Sequence, residues 1–415
     1  MNRPALLASL LALAGPALAQ IAPGDWILSD VFITGSSDLF RVDPTTGQIS
    51  TIATAPGGQR LDAVFMDRNN VDLVAALNGY PSVFHLVRSS PLGALTTVAP
   101  LGTIPYLTDA TLDQDGTWVG ISLQGSRINT AAAIWRSDPA TGMTQLLVPL
   151  GSRGASGICI DGDTGDYIVA VQAIALPAPA ELLRVDRRTL AITTIASGVG
   201  GQKVDFDPAS GDFFLAYWNT YRVHRSGAWS TVDTSLPNPQ GLRVDPETGN
   251  LLLGAGGTVA LMAQTGTVIR SHTPPIPDLW IMGVELYGSR KVSGAGPATG
   301  GTAYPIRFAF PQSAGRAYVA ALSTGLRPGF PLADGTGRTI HLDVTSPLFP
   351  MSIGGLAGVT TGFAGVLDGA GQATGSILIP AGFPAGVRLF VSAVALHPGL
   401  PSGLETANSW GVTTN

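Results

Sequence analysis

The chain is predicted to be all-β, a six-bladed β-propeller followed by a small β-sandwich, and three observations carry that expectation. First, one unit recurs along the first 290 residues: an apolar run ending in Asp, a Gly-closed turn, and a second apolar run. It reads AVFMDRNNVDLVAAL, ATLDQDGTWVGIS, GICIDGDTGDYIVAV, KVDFDPASGDFFLAY and GLRVDPETGNLLLGA. Second, the closing aspartates Asp67, Asp113, Asp161, Asp207 and Asp245 are 46, 48, 46 and 38 residues apart. A strand-rich period of roughly 40–50 residues is the mark of a propeller. Third, the repeat stops near residue 290, and about seven short strands separated by Gly/Pro turns follow it.

Taken in order, residues 1–19 read as a signal peptide. Arg3 supplies a positive start, Ala5–Ala14 is almost wholly apolar, and Ala17-Leu18-Ala19 fits the A-x-A cleavage rule, leaving Gln20 first in the mature chain. The protein is therefore expected in the periplasm or outside a bacterial cell. No later stretch is long and apolar enough to span a bilayer.

Residues 20–290 are assigned to the propeller. Each unit supplies strand A up to the Asp and strand B after the turn; a second hairpin then supplies strands C and D. LFRVDPTTGQISTIA, AIWRSDPATGMTQLLV and LLRVDRRTLAITTIA are C–D pairs, and three further segments fill the other C–D places. Six C–D hairpins then face only five complete A–B hairpins. MGVELYG aligns with QGLRVDP as a sixth strand A, and GDWILSD aligns with GNLLLGA as a sixth strand B. The last blade should thus be built from both ends of the domain, leaving no long open edge at the seam.

The turns have a mechanism. Asp-Pro-x-x-Gly occurs at Asp43–Gly47, Asp138–Gly142, Asp207–Gly211 and Asp245–Gly249, and Asp161–Gly165 is the same turn with Gly162 in place of Pro. The Asp side chain accepts backbone N–H bonds, Pro presets φ, and Gly takes the left-handed conformation that re-enters the strand. These turns share one face. The irregular B–C and D–A connections (Gln124–Ala132, Gln172–Glu181, Pro100–Leu107, Thr273–Trp280) open on the other, which is where binding is expected. KVSGAGPATGGTA, from Lys291, is Gly-rich without strand pattern, so residues 291–302 read as a linker and 303–415 as the sandwich.

Composition narrows the function classes. Charged residues make up 12% of the chain and the net charge is −5, with no basic run, so nucleic acid is a poor partner. Cys159 is the single cysteine, so no internal disulfide is possible, and it is expected to be a small buried hydrophobe.

Candidate site residues follow from strand A, which should line the central channel. Counting five back from each closing residue gives Asp62, Thr108, Ser156, Gln202, Gln240 and Met282, a polar ring at the variable-loop mouth. Counting two back gives Phe65, Thr111, Cys159, Asp205, Arg243 and Glu285, so acid, base and acid sit side by side, with Lys203 and Asp109 four back. These groups form either an inter-blade ion-pair network or a polar pocket that could hold a divalent metal such as calcium. Asp161–Asp166 faintly matches a calcium loop but lacks its Gly and distal Glu, so it reads as a turn. Tyr80, Tyr106, Trp218, Tyr221 and Trp280 fall in or near the variable loops and could stack on sugars or anchor a protein.

The repeats GLRVDPETGNLLLGA and LFRVDPTTGQISTIA resemble those of NHL/YncE-type propellers over about Gly24–Gly288. Some relatives in that superfamily are metal-dependent lactonases with a channel Glu and Asn and Asp ligands. That resemblance implies a catalytic role for Glu285, with Asn78, Asn219 and Asp30 the nearest ligand matches. GVRLFVSAVAL and ETANSWGV are similar to the C-terminal sandwich domains appended to many secreted bacterial proteins. Two functions are carried forward. One is a secreted scaffold binding a protein or carbohydrate through its variable face. The other is a metal-dependent hydrolase with its site in the channel.

Overall fold

The computed structural model describes residues 21–30, 37–56, 59–67, 72–78, 84–89, 95–100, 106–123, 132–172, 180–232, 235–276 and 279–415. The expected signal peptide, Tyr80 and most of the four variable loops named above lie outside the described residues.

Between Trp26 and Leu286 the described residues form six four-stranded antiparallel sheets. Five are consecutive in sequence, and their first strands are Arg60–Met66, Leu107–Leu112, Gly154–Ile160, Lys203–Phe206 and Pro239–Val244. The remaining sheet runs Ile281–Leu286, Trp26–Asp30, Asp38–Val42, Ile49–Thr54, so the N-terminal segment lies between strands from opposite ends of the unit. Ile27 sits opposite Glu285 on one side and Arg41 on the other. The first strands of consecutive sheets touch one another in turn, and Ile281–Leu286 touches both Pro239–Val244 and Arg60–Met66. The contacts therefore form a closed cycle.

Alternation along each strand decides where the core lies. The residues three before each closing position are Val64, Ala110, Ile158, Val204, Leu242 and Val284, and each joins a different apolar cluster. The core is thus divided into layers between neighbouring sheets. Four of the first strands also carry a register shift, at Leu61/Val64, Leu107/Asp109, Ala155/Gly157 and Pro239/Gly241. An extra residue there re-aims the strand end towards the loops.

The turns fold as their chemistry requires. At Asp43–Gly47 the Asp carboxylate accepts the Thr45 N–H at 2.7 Å, the Gly47 N–H closes on the Asp43 carbonyl at 2.8 Å, and Gly47 has φ 72°. Four of the five closing aspartates also do something no local pattern shows. Asp67 accepts from Trp118 Nε1 (3.4 Å), Asp113 from the Tyr167 hydroxyl (2.9 Å), Asp161 from Arg225 Nη1 (2.7 Å) and Asp207 from Gln264 Nε2 (2.9 Å). In each case the donor comes from the next sheet, so four of the turns also tie neighbouring sheets together.

Residues 292–413 hold two larger sheets and a two-stranded ribbon. One sheet runs Val292–Gly294, Ala303–Ala309, Gln372–Leu378, Thr360–Thr361. The other joins Ala364–Val366, Ala317–Ser323, Arg388–Leu396 and Leu404–Thr406, with Trp410–Thr413 on the long central strand. Tyr304, Phe308, Phe363, Val391 and Val412 are buried between them. Two local expectations are corrected. Val292–Gly294, inside the stretch expected to be a linker, is a buried strand paired with Ile306–Phe308. RTIHLDVTS forms a strand only at Thr339–Ile340, after which the chain turns into the short helix Leu348–Ser352.

Candidate functional site

The ring axis is filled rather than open. Lys203 Nζ reaches Asp109 Oδ1 at 2.8 Å and the Thr108 carbonyl at 3.0 Å, from the fourth consecutive sheet to the second. It crosses the third sheet at Gly157, the residue at the same height there. Gly157 is packed so closely that a Cβ would come within 2.8 Å of the Gln202 carbonyl oxygen and 2.9 Å of Lys203 Cα. Burial raises the Asp109 pKa, and the Lys203 charge offsets that rise only in part. The void beside the pair is about 20 Å³, lined by Val64, Asp109, Lys203, Leu242 and Gly283 among others. That is room for about one water. The expected channel is thus closed at this height by an ion pair.

Towards the loop mouth, most of the polar ring is tied to its neighbours. Asn78 Nδ2 donates to Asp62 at 2.5 Å and to the Leu107 carbonyl at 2.9 Å, joining the first two consecutive sheets. Burial raises the Asp62 pKa, with the Asn78 hydrogen bond acting against it. Gln172 Nε2 donates to Ser156 Oγ at 2.7 Å, Thr108 Oγ1 donates to the Ile121 carbonyl at 3.2 Å, and Gln240 Oε1 accepts from Trp280 Nε1. Gln202 Oε1 is buried without a hydrogen-bond partner.

Below the ion pair, the acid–base–acid row is brought together as expected. Arg243 donates to Glu285 through Nε (3.1 Å to Oε1) and lies 2.9 Å from Oε2 through Nη2; its Nη1 is 3.6 Å from Asp205. Glu285 also accepts the N–H groups of Met66 (3.2 Å) and Leu286 (2.9 Å) and the Ser289 hydroxyl (3.4 Å). A carboxylate offers about four lone-pair sites, so these donors saturate it. Asp205 gives both oxygens to backbone, to the N–H of Phe206 (2.9 Å) and of Val244 (2.8 Å). Glu285 is therefore arranged as a structural acceptor. Its nearest family-type companions are elsewhere: Asn78 on Asp62, Asp30 on the Asp38 N–H at 2.6 Å, and exposed Asn219 beside Tyr221.

The calcium-like loop is a turn. Asp161 and Asp163 both pair with Arg225, Asp163 also meets Arg327 Nη2 at 2.5 Å, and Asp166 pairs with Arg184. Burial works to raise the Asp161 pKa, and the Arg225 guanidinium more than reverses it. Cys159 is buried, and burial pushes its thiol well above the ordinary value. Among the described residues no three His, Cys, Asp or Glu side chains converge as a metal site.

The C-terminal unit covers the face that carries the regular turns. Arg388 donates to the Gly162 carbonyl (3.0 Å) and Gln114 Oε1 (2.7 Å), the Tyr304 hydroxyl to the Gln114 carbonyl (2.5 Å), and Arg327 to the Pro208 carbonyl (3.0 Å). Lys291 is held by Glu247 Oε1 at 2.5 Å and Glu405 Oε1 at 3.2 Å. Each of these ring-side partners belongs to an A–B turn. By antiparallel geometry the B–C and D–A connections open on the opposite face, where none of these contacts falls. Trp218 and Trp280 lie there at 60% and 44% exposure. Trp218 packs on Tyr217 with ring centroids 5.0 Å apart, and half-buried Tyr221 follows in the next strand.

Buried His341 lies at the docked interface, with neither ring nitrogen hydrogen-bonded. Burial depresses its pKa from 6.5 to about 4, with Asp207 acting in the opposite direction. The unfolded chain therefore takes up a proton between pH 6.5 and 4 that the folded protein refuses. Stability from this group is complete above pH 6.5 and is lost as pH falls towards 4. Chemical denaturation of His341→Gln across that range should show about 3 kcal/mol less acid destabilisation than the wild type. Parallel pH profiles for the two proteins would refute the assignment.

No family model matches the chain, and no curated protein matches it. Among solved structures it is similar to a chain in the crystal structure of a nidogen/laminin complex, at 12% identity and TM-score 0.51, covering 63% of this chain and 98% of that one. It is also similar to TolB from Acinetobacter baumannii, at 11% identity and TM-score 0.47, covering 63% of this chain and 66% of that one. At such identities the nidogen/laminin likeness is one of fold, and with the ring of antiparallel sheets it shows that this chain folds as a β-propeller.

Proposed function

We propose that the protein is a secreted bacterial binding scaffold that engages a protein or carbohydrate through its variable face. In this reading it is a six-bladed propeller of the NHL/YncE type, its last blade closed by the N-terminal strand and one face capped by a C-terminal β-sandwich. The observation that carries the proposal is the covering of one face and the aromatic exposure on the other. Docking occupies the A–B turns of the second to fifth consecutive sheets through Gln114, Gly162, Pro208 and Glu247. The opposite face presents Trp218 and Trp280, side chains of the type that dominate binding hot spots. The nidogen/laminin structure is of a protein complex, which is in keeping with a propeller used for association. The hydrolase alternative is less well supported, because Glu285 is saturated by Arg243 and backbone donors.

Glycan arrays and pull-downs from surface fractions test the proposal. Trp218→Ala with Trp280→Ala should cost about 2 kcal/mol or more of binding, a loss of at least about thirtyfold, with an unchanged melting temperature. Glu285→Gln, which removes the charge that answers buried Arg243, should lower the melting temperature while the folded protein binds as before. Binding indifferent to both tryptophans would refute the scaffold reading, and lactone or ester hydrolysis lost in Glu285→Gln would replace it with the hydrolase.

A further inference from the structure

The variable face is described most fully around the fourth and fifth consecutive sheets and the composite sheet, over residues 198–202, 217–220, 235–240, 256–258, 273–276 and 279–280. These described segments contain no Asp, Glu, Lys or Arg. The charges of the strands beneath them are taken up inside the ring, Lys203 by Asp109 and Arg243 by Glu285. The aliphatic side chains of Val199, Leu236 and Leu279 are buried, so the large apolar groups these segments expose are indoles, Trp218 at 60% and Trp280 at 44%. Trp280 is held in orientation. Its Nε1 donates to Gln240 Oε1, which uses the one polar atom of the ring and leaves its faces for packing. Trp218 rests on Tyr217, with 5.0 Å between ring centroids. Two exposed amides accompany the indoles. Asn219 follows Trp218 and lies 3.4 Å from the Tyr221 hydroxyl through Nδ2. Asn238 has a left-handed φ of 53° between Pro237 and Pro239, whose rings restrict the backbone that presents it.

We infer that this sector binds a neutral carbohydrate, with sugar rings stacked on Trp218 and Trp280 and hydroxyl groups bonded to the amides of Asn219 and Asn238. The inference rests on the binding-scaffold reading above and selects between the two ligand classes which that reading leaves open. A sugar ring has a C–H face that packs on an aromatic plane, and hydroxyls around its rim that both donate and accept. An amide offers a carbonyl and an NH2 from one group, so it serves two neighbouring hydroxyls at once. The uncharged surroundings set the charge of the ligand. An acidic sugar chain meets no cation among these described segments to offset the cost of drying its carboxylates. Protein interfaces are enriched in Arg and Met as well as in aromatic residues, and these segments carry neither. Trp280, already fixed by Gln240, loses little freedom when a ring stacks on it.

Calorimetric titration of the full chain with cellohexaose, maltohexaose, chitohexaose and mannohexaose tests this, with hexagalacturonate as the anionic comparison. At least one neutral hexasaccharide should bind saturably and shift the tryptophan emission. Its affinity should change less than about twofold as salt rises from about 0.05 to about 0.5 M, because no charge is involved. Trp218→Ala and Trp280→Ala should each weaken binding at least about tenfold, and Trp280→Phe should keep part of it. Phe330→Ala, at an exposed aromatic of the C-terminal unit, should bind as wild type. The wild-type titration needs no variant to fold: absence of binding by all four neutral sugars overturns the inference. So does tighter binding of the galacturonate that high salt abolishes. If the sugars fail and a purified protein partner binds through Trp218 and Trp280, the scaffold reading stands and this inference falls. Sugar binding indifferent to both tryptophans overturns the two together.

Discussion

Removal of residues 21–30 is expected to abolish cooperative folding of the ring. Trp26–Asp30 is the second strand of its sheet, with a ladder on each side, to Ile281–Leu286 on one edge and to Leu39–Val42 on the other. All five of its residues are buried. Without it, two strand edges lose their partners, Glu285 loses its facing residue Ile27, and the apolar layers holding Ile27 and Leu28 open to water. The loss exceeds what a typical domain can spare, since net stability is only about 5–15 kcal/mol. Circular dichroism melts and gel filtration should show a broad, non-cooperative transition and an expanded or aggregated chain. A synthetic peptide of residues 21–30 added in trans should restore part of the transition. A truncated protein that melts sharply near the wild-type temperature would show that the strand is dispensable.

The largest point effect is expected at Lys203. Replacing it with Met keeps the apolar stem but leaves Asp109 buried with its Oδ1 charge unanswered. Breaking a buried pair by removing one partner typically costs about 3–5 kcal/mol. Asp109 retains only backbone donors, the N–H groups of Ile158 (3.1 Å) and Ala110, which are too little to hold a buried charge. Urea denaturation should therefore place Lys203→Met several kcal/mol below wild type. The double variant Lys203→Met with Asp109→Asn should recover a substantial part, because a neutral amide is cheaper to bury. A single variant within about 0.5 kcal/mol of wild type would mean that water or a rearranged neighbour replaces the pair.

These two expectations separate what each level of description made visible. The composite sheet was legible before any coordinates, because six C–D hairpins cannot be matched by five A–B hairpins unless the ends combine. The turns were equally legible, since an Asp, a Pro and a Gly at fixed offsets specify a backbone path through contacts within five residues. The side-by-side placement of Asp205, Arg243 and Glu285 also followed from register alone, as period-2 alternation puts equivalent positions at equal heights. What that row does was not legible. Whether a carboxylate is poised for chemistry or saturated depends on donors such as Met66 and Ser289, which meet Glu285 from a different sheet and from the chain beyond its strand.

Within the ring, the sequence by itself determined the strands, their turns, the order of pairing and the closing of the ring by its own N-terminus. All of these rest on short-range periodicity and on turn chemistry, which act within a few residues. Tertiary structure alone decided three things. Lys203 reaches Asp109 because curvature of the ring and the missing side chain of Gly157 let it pass over an intervening sheet. The closing aspartates bind the next sheet because the sheets pack at a distance that brings Tyr167 or Arg225 to them. The C-terminal unit seals the turn face because Glu247, Gln114 and Gly162 present acceptors that match Lys291 and Arg388 across 44 to 274 residues of chain, a complementarity that no local pattern records.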